Sequence, residues 1–141
     1  MDINQYNPCE EGTKLVFVSS ENGCRHVGNN TNHHCIRKFK IDGDVIPKTS
    51  SEERCDYLLL NDTDKRAYYI ELKGSDIAKA IHQIENTVKL FRDGICDYMV
   101  FPRIIYRTGT HDIQSSITTK WRMKYGNKAV IRSREFTENI S

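Results

Sequence analysis

Residues 55–73 read CDYLLL-NDTDKR-AYYIELK, two apolar runs of six and seven residues around a polar hexapeptide. The runs are rich in aliphatic and aromatic side chains and too short for helices, and the hexapeptide carries turn chemistry. A β-hairpin is therefore predicted. Closing it symmetrically sets Asn61 opposite Arg66, and carrying that register outward sets Asp56 opposite Glu71. Alternation within 67–73 places Tyr68, Ile70 and Leu72 on one face and Tyr69, Glu71 and Lys73 on the other. A slip of one residue would send Asp56 to the opposite face, so the register carries the argument.

Outward from the hairpin, Gly74-Ser75-Asp76 breaks the strand and offers Ser75 as a helix N-cap. Ile77, Ile81, Ile84, Val88 and Phe91 then recur at helical spacing before Gly94, which predicts an amphipathic helix with a core-facing stripe. Residues 97–101 read as a strand ended by Pro102. A second helix carrying Trp121 is expected over about 112–125, capped by Asp112, and a last short strand over 129–132. In the first third, strands are expected at 14–19 and about 34–41, with the glycine- and asparagine-rich 28–32 as a turn or loop.

The 141 residues fit one domain over 1–141, with 38% hydrophobic and 28% charged residues, enough for a single core. No apolar run approaches the roughly 20 residues of a membrane span, and 1–11 is polar rather than signal-like. A cytoplasmic protein is expected, with no membrane partner. The odd set of cysteines (Cys9, Cys24, Cys35, Cys55 and Cys96) points to a reducing compartment rather than a disulfide framework. Cys24, His26, His33, His34 and Cys35 have zinc-ligand chemistry, but their spacing matches no paired knuckle, and they read as ordinary loop residues.

The net charge of +2 conceals an asymmetry. Residues 1–102 hold 13 basic and 16 acidic residues, residues 103–141 hold 8 and 3. A basic end fits a phosphate-facing surface, and it fits equally a solvated helix face with a tail. No glycine-rich phosphate loop, dinucleotide fingerprint or Ser/Cys nucleophile arrangement is present, which excludes a P-loop nucleotide hydrolase.

Two carboxylates directly opposed across strands repel by a few tenths to about 1 kcal/mol unless a cation lies between them. Mg²⁺ takes one or two carboxylates and completes its shell with water and phosphate oxygens. Asp56 and Glu71 can supply such a site, with the Leu72 carbonyl as a further ligand. Lys73, on the same face, is placed to orient or deprotonate a water and to stabilise developing negative charge. The alternative is a solvated strand face with a weak Glu71–Lys73 ion pair.

Asp56, fourteen intervening residues and Glu71-Leu72-Lys73 at a strand end, followed by a helix and a strand, resemble the PD-(D/E)xK, or restriction-endonuclease-like, nuclease superfamily. The resemblance covers about 55–101. It implies an α/β fold with an αβββαβ core, a central mixed β-sheet flanked by helices. It also implies Mg²⁺- or Mn²⁺-dependent cleavage of nucleic acid, DNA in preference to RNA, with Asp56 and Glu71 as metal ligands and Lys73 as catalytic lysine. Gln83 occupies the place of a polar residue that many members use on the following helix. Cys55 stands where members often have proline. The leading core helix, which in many members presents an additional Glu, cannot be located, and Glu10, Glu11, Glu21, Glu52 and Glu53 all qualify by chemistry. Lys79, Arg103, Arg107, Lys120, Arg122 and Lys124 are the expected phosphate contacts, and a domain of this size would dimerise to cut both strands. The alternative is a nuclease-like fold that binds nucleic acid or protein without catalysis.

Overall fold

In the computed structural model, which describes residues 1–73, 75–108 and 115–141, the hairpin forms with the predicted register. Its strands are β5 (Tyr57–Asn61) and β6 (Arg66–Lys73), by the chain-order numbering used below, with Tyr57 opposite Ile70 and Asn61 opposite Arg66. The turn is closed by Asn61, whose Oδ1 accepts from the N–H groups of Thr63 and Asp64 at 3.0 and 2.9 Å. Lys65 takes up the reversal in the left-handed region at φ 58°. Every residue of β5 is buried, so both faces of the hairpin are covered.

The earlier strands are β1 (Glu10–Gly12), β2 (Val16–Glu21), β3 (Cys24–Asn29) and β4 (Ile36–Lys40). After the hairpin come α1 (Ile77–Phe91), β7 (Met99–Tyr106), α2 (Ser116–Tyr125), β8 (Val130–Ser133) and β9 (Glu135–Asn139). A six-stranded mixed sheet runs β1-β4-β5-β6-β7-β8, antiparallel as far as β6 and parallel from there. The helices cover one face, where Leu58, Leu60, Tyr69, Ile77, Ile81, Ile84, Phe91 and Trp121 share a core. A three-stranded sheet, β2-β3-β9, covers the other, packing Phe17 and Cys24 against Tyr68, Ile70, Leu72 and Ile105. The protein is thus α/β with a central mixed sheet. No helix is long and apolar enough to cross a membrane.

The differences from the sequence reading have physical causes. The cap of α1 is Asp76 rather than Ser75: Asp76 has the extended backbone of a cap, and its Oδ1 accepts from the Lys79 N–H at 2.9 Å. β7 runs through Pro102 instead of ending there. The β8 pairing begins only at Arg103, so on that side the missing N–H of Pro102 forfeits no ladder bond. α2 is capped by Ser115, and the expected start at Asp112 lies outside the described residues. The presumed tail is β9, reached through Arg134 at φ 64°, a single residue that carries the chain from the large sheet to the small one. Cys24 and His26 lie on β3 rather than in a loop. Before β4 the only helical element among the described residues is a single 3₁₀ turn, Ile3–Gln5, so the leading helix that the resemblance implies is not found there.

One residue ties α1 to the start of the hairpin. Thr87 Oγ1 accepts from the Cys55 N–H at 2.9 Å and donates to the Gln83 carbonyl at 2.7 Å. Thr87→Val keeps the shape and removes the acceptor, leaving a buried N–H unpaired. Chemical denaturation is expected to register a loss of about 1–3 kcal/mol; a change below 0.5 kcal/mol, on the order of a neutral surface substitution, would contradict it.

Candidate functional site

Asp56 immediately precedes β5, and its N–H donates to the Ile70 carbonyl at 3.1 Å, one residue out of the register that pairs Tyr57 with Ile70. The paired ladder therefore ends at Tyr57, and Asp56 is not directly paired with Glu71. Its side chain turns back to the hairpin partner, and Oδ2 accepts from the Leu72 N–H at 2.8 Å. Glu71 sits on the helix-covered face of β6 and is only 3% exposed, so the solvated-strand alternative does not describe it. Glu71 Oε1 is shielded from water and has no hydrogen-bond partner among the described residues. A buried carboxylate oxygen without a donor is an unbalanced cost unless something else meets it.

The two acids sense each other. Burial pushes the Glu71 carboxyl well above the usual carboxylate range, the charge of Asp56 adds to that, and Lys73 opposes it. Asp56 is raised to about 6, chiefly by burial, against the lowering effect of the Leu72 N–H and with further raising from Glu21 and Asp42. Without a cation the pair retains protons to higher pH than ordinary carboxylates. Lys73 is half-buried, and its ammonium forms no ion pair among the described residues.

Gln83 lies half-buried on α1, the helix that packs on the Glu71 face, and its Oε1 is also shielded and without a partner. The two orphaned oxygens belong to the two elements packed against each other. The Leu72 carbonyl is already engaged, since Asn22 Nδ2 donates to it at 3.0 Å. It would serve a metal only through its remaining lone pair.

The remaining expected contacts divide. Arg103 is a correction: it is 5% exposed, between the sheets, its guanidinium bound to both Glu138 oxygens at 2.7 and 2.9 Å. It is withdrawn from any phosphate. Lys79, Arg107, Lys120 and Arg122 are exposed, and Lys124 is exposed but bound to Glu85 at 2.8 Å. The cysteine and histidine cluster disperses. His26 meets Glu138 at 2.7 Å, Cys24 Sγ lies 3.7 Å from the Lys73 carbonyl, and His34 contacts Asn61, while His33 and Cys35 are exposed. All five cysteines are free. Among the described residues no three His, Cys, Asp or Glu side chains group as metal ligands.

No family model, curated protein or solved structure matches this chain.

The sequence reading missed the β2–β3 turn as part of this site. Asn22 and Gly23 both have positive φ, 52° and 74°, and the turn brings Asn22 to the Leu72 carbonyl and Glu21 near enough to Asp56 to raise it. The signal was present: Asn-Gly between apolar segments is the strongest short hairpin cue. Of the other candidate acids, Glu10 is bound to Lys14 and Lys38, and Glu52 to Asn86. Asp42 contributes to the field at Asp56 but is itself tied to Lys48 and Arg54 at 2.7 and 3.0 Å.

Proposed function

We propose that the protein is a divalent-metal-dependent nuclease of the PD-(D/E)xK type, acting on DNA in preference to RNA, with Asp56 and Glu71 as metal ligands and Lys73 as the catalytic lysine. The observation that carries this reading is the buried Glu71 Oε1, without a hydrogen-bond partner among the described residues, in a carboxyl group that feels the charge of Asp56. The donor set fits the ion: two hard carboxylates suit Mg²⁺ or Mn²⁺, which leave the rest of their shell to water and phosphate. The strand order from β4 to β7, three antiparallel strands, a helix and a parallel strand, supports the same reading by likeness to the βββαβ portion of that core.

A bound cation would supply Lewis-acid activation of the phosphodiester and of its attacking water. The protein contributes the rest. Asp56 is oriented by the Leu72 N–H, which fixes one carboxylate oxygen and leaves the other free. Lys73, whose ammonium has no ion pair among the described residues, would stabilise charge that develops at the phosphate, and such a donor is worth roughly 10²–10³ in rate. Gln83 offers an amide from α1 to hold a water or a phosphate oxygen. A homodimer is proposed for cutting both strands of a duplex.

The test is cleavage of single- and double-stranded DNA and RNA with Mg²⁺, Mn²⁺ or chelator. Divalent-dependent cleavage is expected, reduced by about 10²–10³ in Lys73→Ala with the fold intact. No cleavage with any divalent ion, or full activity in Lys73→Ala, would overturn the proposal and favour a non-catalytic binding module.

A further inference from the structure

The end of the large sheet that carries the acids is also the carboxyl end of β6, β7 and β8. There the parallel register places Lys73 opposite Tyr106 and Tyr106 opposite Ser133. The residues that follow these last two partners are both arginines. Arg107 N–H donates to the Lys73 carbonyl at 3.1 Å, and Arg134 N–H to the Tyr106 carbonyl at 2.7 Å, so each arginine backbone is pinned to the neighbouring strand end. Adjacent strands are about 4.8 Å apart, which sets Lys73, Arg107 and Arg134 in a row spanning roughly 10 Å.

Both arginines are exposed, and neither has a carboxylate partner among the described residues. Arg107 follows a residue that shares a sheet side with Lys73, so alternation turns it to the side of the β2–β3 hairpin. Arg134, at φ 64°, leads the chain to that same side, its carbonyl accepting from the Arg25 N–H of β3 at 2.9 Å. Two observations agree with that placement. A Cβ built on Gly23 would lie 3.3 Å from Arg107 Cδ, and the charges of both arginines are felt at Cys24, in the same hairpin. Read across the sheet end from β5 to β8, the order is carboxylate, carboxylate with lysine, arginine, arginine.

We propose that Arg107 and Arg134 form a track for the phosphates flanking the scissile one, so that a polynucleotide strand crosses the sheet end from the carboxylate pair toward β8. This rests on the nuclease reading of Asp56, Glu71 and Lys73. Two guanidinium groups without a carboxylate partner among the described residues, on neighbouring strand ends, fit consecutive phosphates of one strand, because arginine matches phosphate in charge and donor geometry. The contact is to the backbone and carries no base sequence.

The experiment measures binding of a short oligonucleotide against salt concentration, with Ca²⁺ in place of Mg²⁺, for wild type, Arg107→Ala, Arg134→Ala, both lysine replacements, and Lys65→Ala at the opposite end of the hairpin. Each alanine variant is expected to bind several-fold more weakly and to flatten the log–log salt dependence by about one. The lysine replacements are expected to restore most of the slope, and Lys65→Ala to leave it unchanged. Unchanged slopes in Arg107→Ala and Arg134→Ala, or equal flattening by Lys65→Ala, would overturn the track, as would no binding by wild type. Cleavage is scored separately, so binding with the expected slopes but no cleavage would sink the nuclease reading and keep Arg107 and Arg134 as contacts to backbone phosphates, without a scissile one between them and the acids.

Discussion

Glu71→Gln is expected to abolish divalent-dependent cleavage and, in the metal-free protein at pH 8, to raise the unfolding temperature. Activity and stability should move in opposite directions because the same burial underlies both. Folding holds the Asp56 and Glu71 carboxyls above their ordinary range, so the folded state binds more protons than the unfolded one. For groups raised in this way, stability is fully present below the unfolded value near 4 and is lost as pH rises through the folded one. Asp56, ionising at about 6 rather than 3.8, accounts for a loss of roughly 2–3 kcal/mol by pH 8. Gln keeps the shape of Glu71 and removes its charge. Scanning calorimetry in chelator should show the variant about 3–8 °C above wild type at pH 8 and little different at pH 4. With saturating Mn²⁺ the wild type should recover most of the gap. A variant less stable than wild type at pH 8 would mean that Glu71 is satisfied within the fold, against the account given above.

Glu138→Ala is expected to cause the largest loss of stability, about 3–5 kcal/mol. Glu138 accepts both arms of the Arg103 guanidinium and contacts His26, which is fully buried, and Arg103 also stacks near the Tyr68, Phe101 and Phe136 rings. Removing it strands a cation between the sheets and detaches β9, the strand that holds Glu138. His26 and Arg103 hold the Glu138 carboxyl below its ordinary value although burial pushes it upward. A depressed carboxyl contributes stability above its unfolded value near 4.5, and that contribution disappears as pH falls through the folded value. The deficit of Glu138→Ala should therefore shrink in acid. Urea denaturation at pH 7 and pH 3 measures both, and a loss under 1 kcal/mol at pH 7 would show that Arg103 finds another partner.

What the sequence revealed tracks what is local. The 55–73 hairpin was legible because its apolar runs, its turn residues and the pairing from Tyr57–Ile70 to Asn61–Arg66 are all set within nineteen residues; the opposition of Asp56 and Glu71 was carried one pair beyond that ladder. The α1 stripe was legible for the same reason, its period being complete in one segment. β9 was not, because it pairs with β3 over a separation of about 110 residues and its alternation, Glu135 to Asn139, offers a single large apolar side chain, Phe136. Arg103 misled because a guanidinium next to Phe101 reads as surface charge until a distant carboxylate, Glu138, is seen to neutralise it. The strand expected at 14–19 was in part legible, but β3 was not, because 24–29 carries only short or polar side chains besides Val27 while its alternation of buried and exposed residues shows only in the fold.

The central claim is that Asp56 and Glu71 together hold one divalent cation. Calorimetric titration of the purified protein with Mn²⁺ at pH 7, repeated in buffers of different ionisation enthalpy, tests it directly. The predicted result is one bound ion per chain, with release of protons that the pair retains in its absence, and loss of binding in both Asp56→Asn and Glu71→Gln. Binding that survives both substitutions, or no binding by a folded wild-type protein, would contradict it.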